Sequence, residues 1–325
     1  MKLPKAIGLA IEAEAAHLSA KELAEGVEQL GRYYRSRDLA REPSFAIPTI
    51  RIAYAVARMP AIYQVNRLVL AHLQTLRLDI TSSLDLGCGP GTATIAARET
   101  FEGLRKATLV DRDDGWFDLG GRMLAAVDSN LEARFVKSAI EWTSGFDPHD
   151  LVIASYALNE LSPTDARSIA KRAWDAARAA VVIVEPGTPG GFATILAARD
   201  ELIAAGASIV APCTHASACP LASGDWCHFD TRVDRTRRHR DAKAGTLPYE
   251  VEKFSYLVAA RAPRAISKNT SRVIKHPLKR SGHVVLDLCT SRGTAERIVV
   301  SRRDKESYRD ARGAKWGELW MERDH

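Results

Sequence analysis

LDLGCGPGT, residues 84–92, lies between a short β-rich apolar run and a segment of helical pattern. Glycines at 87, 89 and 91 let a chain turn tightly after a strand and let backbone approach a ligand closely. The next strand-like run, ATLVD, ends in Asp111, 24 residues after Gly87. An acid at that place accepts hydrogen bonds from ribose hydroxyls. Strand, loop, helix, strand and acid thus occur in the order of a nucleotide-binding unit. Working outward, SLDL, ATLVD, ARFVK, DLVIAS and AVVIVE alternate with stretches about one helix long. That alternation predicts a parallel sheet with crossover helices, an α/β fold. Ser162-Pro163 marks one helix start, with Ser as the cap and Pro in the first turn.

A dinucleotide fingerprint would read G-x-G-x-x-G, whereas this loop is G-C-G-P-G, with its third glycine one residue earlier. The form resembles motif I of class I S-adenosylmethionine-dependent methyltransferases. The resemblance covers residues 82–205 and implies S-adenosylmethionine rather than NAD. It places Asp85 near the methionine amino group and passes Gly87, Gly89 and Gly91 beneath the cofactor, with Asp111 as the second acid. Base N-methyltransferases resemble one another in a D/N/S-P-P-Y/F motif after the fourth strand. Here that place reads ASYALNEL (154–161), in which Ser155 and Tyr156 align loosely and both prolines are missing. Asn159 and Glu185 remain as catalytic candidates. Ligands lie at the carboxyl ends of the strands, where Glu185 falls, although it is equally placed to cap the following helix.

The rest of the chain divides by character. Residues 1–80 read as a helical N-terminal domain with no visible chemistry. Ser19 and Glu22 form a capping box, and Pro43, Pro48 and Pro60 punctuate shorter helices. Residues 81–260 read as the methyltransferase domain, interrupted at 211–245 by an irregular insertion rich in Cys, His, Pro and Arg. Residues 261–325 read as a basic, β-rich element, with HVVLDLC (283–289) and AERIVVS (295–301) as a strand pair. The whole is a Rossmann-like sheet with helical, Cys-rich and small β-rich additions. No apolar run approaches the roughly 20 residues that span a bilayer. Two glutamates interrupt the apolar start and no small-residue cleavage site follows, so no signal peptide is expected, and the expected compartment is cytoplasmic.

Five cysteines then need an explanation other than disulfides. Cys88 fills the glycine loop. Cys213, Cys219, Cys227 and Cys289 are separated by five, seven and 61 residues. Four thiolates close a tetrahedral zinc site or hold a 4Fe–4S cluster. The wide spacing lacks the tight pairs usual for zinc, with His215 and His228 as alternative zinc ligands. The radical C-x-x-x-C-x-x-C pattern is absent.

Charge is uneven. The chain carries 46 Lys and Arg against 40 Asp and Glu, a net +6. Residues 231–325 hold 23 basic against 12 acidic, leaving the remainder at −5. Arg261, Arg264, Lys268, Arg272, Lys275, Lys279 and Arg280 form a run with no acidic residue among them. Such a localised excess points to a polyanion, and the lack of a large apolar helical face argues against a membrane.

Longer motifs sharpen this reading. EPGTPGGF (185–192), ILAARDELIAAGASIVAPCTHASACPL (195–221), DWCHFDTRVDR (225–235), LPYEVEKFSYLV (247–258) and SRRDKESYRDARGAKWGELW (301–320) together resemble the small-ribosomal-subunit methyltransferase-like family of bacteria and mitochondria. The resemblance spans about residues 80–320. It implies action in assembly of the small ribosomal subunit, with its ribosomal RNA as partner. It also implies a 4Fe–4S cluster on Cys213, Cys219, Cys227 and Cys289. An rRNA methyltransferase and a non-enzymatic assembly factor are the two leading expectations. A small-molecule methyltransferase with a structural zinc is the third.

Overall fold

The computed structural model describes residues 3–36, 47–141, 145–243, 245–263 and 269–321. Four helices come first: α1 (Lys5–Ala15), α2 (Ala20–Ser36), α3 (Pro48–Ala57) and α4 (Met59–Gln74). The capping box forms as expected. Ser19 N donates to Glu22 Oε2 at 2.9 Å, and Glu22 N donates to Ser19 Oγ at 3.2 Å. Pro48 and Pro60 occupy helix first turns, where a missing N–H costs nothing. Pro43 lies outside the described residues.

The strands expected from the sequence are β1 (Ser82–Leu86), β2 (Lys106–Asp111), β3 (Glu132–Lys137), β4 (His149–Ser155) and β5 (Ala177–Pro186). Between them run α5 (Thr92–Thr100), α6 (Phe117–Val127) and α7 (Pro163–Ala176). Ser162 caps α7 by accepting from Asp165 N, with Pro163 in the first turn. Helix α8 (Pro189–Ala204) and β6 (Ser208–Ala211) follow, then β7 (Phe229–Asp234), α9 (Arg237–Ala242) and β8 (Tyr249–Ala260). The main sheet runs β3-β2-β1-β4-β5-β8-β6, with β7 paired to β8. Strands β1 to β5 are parallel, and β8 is antiparallel to β5, β6 and β7. Chain order reverses at β1, between β2 and β4, so a crevice opens beyond their carboxyl ends. β4 and β5 are buried on both faces, which explains their unbroken apolar runs.

Residues 211–245 are less irregular than their composition suggests. The stretch 212–228 lacks regular structure, while β7 and α9 belong to ordered layers. Proline and charge obscured them, yet each alternates correctly: Phe229 and Val233 are buried in β7, and His239 and Ala242 in α9.

A second sheet gathers β9 (Thr270–Val273), β10 (Leu278–Lys279), β11 (His283–Thr290), β12 (Ala295–Ser301) and β13 (Leu319–Met321). The expected β11–β12 hairpin pairs His283 with Ser301 through Cys289 with Ala295. Helix α10 (Lys305–Gly313) covers its inner face over Val284, Leu286, Leu288, Val273 and Trp320.

Candidate functional site: cofactor cleft and thiol pocket

The glycine loop is held from both sides. Gly87 N and Cys88 N both donate to Val110 O, at 2.9 and 3.0 Å. Gly87 has φ +68°, and a Cβ there would stand 2.6 Å from Ala157 Cβ. Gly91 has φ +74°, and a Cβ would meet Leu109 at 2.9 Å. Both left-handed backbone and close approach therefore demand glycine. Cys88 is buried in the turn, as its small size suggested.

The two acids are fixed differently. Asp85 is buried and accepts from Thr94 N and Thr94 Oγ1, at 3.1 and 2.8 Å. Burial raises its pKa to about 6, against the Thr94 hydrogen bonds that favour the carboxylate. Asp111 accepts from Gly89 N at 2.8 Å and from Asp113 N at 2.9 Å. It too is raised, chiefly by burial. Gly87, Gly89 and Asp111 line one cavity of about 1710 Å³ with Trp116, Ile140, Tyr156, Asn159 and Pro186.

Glu185 does not cap the next helix. Thr188 does, accepting from Gly191 N. Glu185 is fully buried and accepts from Leu158 N at 2.9 Å and Asn159 Nδ2 at 2.6 Å. Burial pushes its carboxyl up to about 8, in spite of those donors. The two catalytic candidates are thus brought together, Glu185 fully buried and Asn159 half-buried at the cavity wall, where they shape the turn after β4. Tyr156, in that turn, has φ +60°, a left-handed backbone that an aromatic residue rarely adopts. Its hydroxyl donates to Glu252 Oε1 at 3.2 Å. Ser155 Oγ accepts from Asn66 Nδ2 at 2.8 Å. The polar side chains after β4 are tied to one another and to the N-terminal helices.

Those helices, read from sequence as carrying no chemistry, wall the cavity. Ala24, Leu30, Tyr34, Tyr54, Ala57 and Arg58 line it. Arg58 makes a two-pronged ion pair with Glu252, at 3.1 and 3.0 Å. The signal was present as RIAYAVAR (51–58), in which Arg51, Tyr54 and Arg58 fall at i, i+3 and i+7 on one helical stripe.

The four cysteines of interest come from the loop after β6, the approach to β7 and the end of β11. Their ionised forms are within electrostatic reach of one another: Cys227 feels Cys213, Cys289 and Cys219, and Cys289 feels Cys213 and Cys219. Burial pushes Cys289 up to about 12 and raises Cys213 and Cys227. Among the described residues, no three His, Cys, Asp or Glu side chains are gathered closely enough to hold a metal ion as they stand. His215 Nε2 is 3.3 Å from Cys289 Sγ. His228 stacks on Trp226 and meets the edge of Trp316. Trp226 donates to Gly187 O, and Phe229 packs among Phe254, Tyr256 and Trp316. Two buried arginines adjoin the thiols. Arg199 donates to His215 O and Ser217 O, and Arg272 to Pro212 O and Gly317 O. Arg199 Nε, Arg272 Nη2 and His215 Nδ1 are buried without a partner.

The basic run needs correction in detail. Arg272 is 2% exposed and braces the thiol loop. Arg261 lies over Trp174 and donates to Ala177 O and Trp174 O. Lys275 pairs with Asp225 at 2.8 Å. Arg264 and Lys268 lie outside the described residues. Lys279 and Arg280 are exposed, and Arg302 N donates to Gly282 O, so Arg302 and Arg303 join them at one end of the second sheet.

The strand order, the antiparallel β8 and the glycine loop at the reversal point define a class I methyltransferase-type α/β fold. The chain belongs to the family described as mitochondrial small ribosomal subunit Rsm22, whose model matches residues 48–321. It is 28% identical to the human mitochondrial ribosome assembly protein METTL17 over 252 residues, covering 73% of this chain and 54% of that protein. It is 26% identical to the Rsm22-cox11 tandem protein 2 of Schizosaccharomyces pombe, covering 83% of this chain and 43% of that protein. The chain thus spans about half the length of the curated relatives it matches. Among solved structures, magnesium protoporphyrin IX methyltransferase from Synechocystis superposes with a TM-score of 0.42 at 15% identity, over 64% of this chain and 85% of that one. A putative RNA methyltransferase from Pyrococcus horikoshii gives 0.42 at 13%, over 61% and 84%. The fold assignment rests on strand order, not on these superpositions.

Proposed function

We propose that the chain binds S-adenosylmethionine and acts as an assembly factor on the small ribosomal subunit, docking on its ribosomal RNA. The observation that carries the cofactor part is the intact loop, with Gly87 and Gly89 lining the cavity beside Asp111 and open space over Gly89. Asp111 would exchange its contact with Gly89 N for ribose hydroxyls, and Asp85 would face the amino acid end. Support for the subunit comes from the family and from the names of the relatives. Lys279, Arg280, Arg302 and Arg303 supply exposed positive charge for phosphates. The reading places this activity in the cytoplasm.

The thiol pocket extends the proposal. Its donor set suits a soft, thiolate-bound group, and two buried arginines would balance the negative charge that four thiolates bring. Cys213, Cys219, Cys227 and Cys289 would hold a 4Fe–4S cluster, with zinc as the alternative occupant. Bound, that group would supply cross-links between the loop 212–228 and β11. Thr214 already ties the same two regions, its hydroxyl donating to Cys289 O at 3.2 Å.

A second reading, an rRNA methyltransferase, is favoured by the same intact loop. Against it stands the post-β4 segment, where Ser155, Tyr156 and Asn159 are engaged in internal hydrogen bonds. Methyl-labelled S-adenosylmethionine incubated with the chain and with small subunits from a strain lacking it separates the two. The assembly-factor reading predicts label that travels with the protein and leaves no labelled RNA. Labelled RNA, abolished by Gly89→Arg, replaces it with the enzyme reading. A chain that retains no label loses the cofactor.

A further inference from the structure

Helix α3 lines the cleft through Tyr54 and Ala57 and is pinned at both ends. At its start, Arg51 Nη2 sits 3.3 Å from Asp113 Oδ1, two residues beyond the ribose acid Asp111. Its guanidinium lies so close over Gly115 that a Cβ there would clash with it outright. At its end, Arg58 is clamped to Glu252, whose carboxylate also receives the Tyr156 hydroxyl. Between the pins, Tyr54 faces the cleft and tilts against Trp116, with ring centroids 5.0 Å apart. Trp116 is 5% exposed and forms the floor beneath it. The Tyr54 phenol is also within electrostatic reach of both cofactor acids, Asp85 and Asp111.

We propose that α3 is a wall of the cofactor site and that Tyr54 contacts the adenosyl moiety of the bound cofactor. This rests on the cofactor reading above. Ribose hydroxyls on Asp111 place the nucleoside beside Trp116, and Tyr54 is the side chain that reaches over that position from the helical side. An aromatic ring there covers the flat face of a nucleoside and keeps water from the Asp111 hydrogen bonds. Arg51 holds the loop after β2, and Arg58 fixes the helix end, so neither needs to touch the ligand.

The test is isothermal titration of the full chain with S-adenosylhomocysteine and with 5′-methylthioadenosine, which lacks the amino acid end. Tyr54→Leu keeps apolar bulk against Trp116 and is the principal variant, with Tyr54→Ala as its companion. Both ligands are expected to bind the Leu variant at least tenfold more weakly, at an unchanged melting temperature without ligand. Wild-type affinity for both ligands in both variants overturns the wall. A loss confined to S-adenosylhomocysteine overturns the placement at the nucleoside. Failure of the wild-type chain to bind either ligand overturns the cofactor reading itself, and the wall with it.

Discussion

The cofactor cleft and the thiol pocket solve the same problem in opposite ways. Both place polar groups at the ends of buried strands. In the cleft, protein groups answer one another: Asp85 with Thr94, Asp111 with Gly89, and Glu185 with Leu158 and Asn159. The site is built before any ligand arrives. In the thiol pocket, burial raises Cys213, Cys227 and Cys289, while Arg199, Arg272 and His215 each keep a buried nitrogen without a partner. A group that stays buried and unsatisfied is costly unless something binds it. The acids of the cleft are partnered as they stand, and its unpartnered buried nitrogens lie in the wall, on Arg51 and Arg58, whereas those of the pocket lie beside the thiols.

The largest expected effect tests that contrast from the pocket side. Cys219→Ser in anaerobically purified protein is expected to lose bound iron and lower the melting temperature by roughly 10 °C, since a group that binds only the folded chain contributes to folding. Metal analysis and a thermal melt read it. Unchanged metal content and melting temperature would make the pocket as self-sufficient as the cleft. Next comes Gly87→Ala, which forces a Cβ into left-handed backbone and against Ala157. Its expected cost is roughly 2–4 kcal/mol by denaturant titration, with loss of S-adenosylhomocysteine binding. An Ala variant of wild-type stability would show that the loop is not preformed.

Glu185 gives a pH signature within the cleft. Its folded pKa, about 8, is raised above the unfolded value. The folded state therefore keeps a proton that the unfolded chain releases above about pH 4.3. Its contribution is present in full at low pH and is lost as pH rises towards 8. Relative to wild type, Glu185→Gln is expected to gain on the order of 1–3 kcal/mol between pH 5 and 8. Parallel pH profiles for the two proteins would place the carboxyl in water. The smallest effect is at the second sheet. Replacing Arg302 and Arg303 with Ala is expected to lower the salt slope of RNA binding by about 1 for each phosphate no longer neutralised, leaving cofactor affinity unchanged. An unaltered slope would move the RNA-facing surface elsewhere.

The cleft was far more legible in sequence than the pocket's surroundings. Five strands and the loop follow from local rules: short apolar runs, buried on both faces in β4 and β5, and glycines where backbone turns left-handed. β6, β9 and β13 are three or four residues long, too short to show a period. β7 and α9 were hidden because Pro, His and Arg surround them, although their buried residues alternate correctly. The charge run misled in a specific way. Counting cations cannot separate Lys279, which is exposed, from Arg272, whose guanidinium is an internal donor to two carbonyls from distant segments. Tyr54 was missed for a related reason. The helical stripe is visible in sequence, but only the tertiary fold turns it towards the loop.

The most direct test of the central claim is co-sedimentation of the full chain, carrying labelled S-adenosylmethionine, with purified small and large ribosomal subunits over a range of salt. The account predicts that chain and label travel together with the small subunit only, and that binding weakens steadily as salt rises. Label that travels without subunits, or a chain that sediments equally with both, would contradict it.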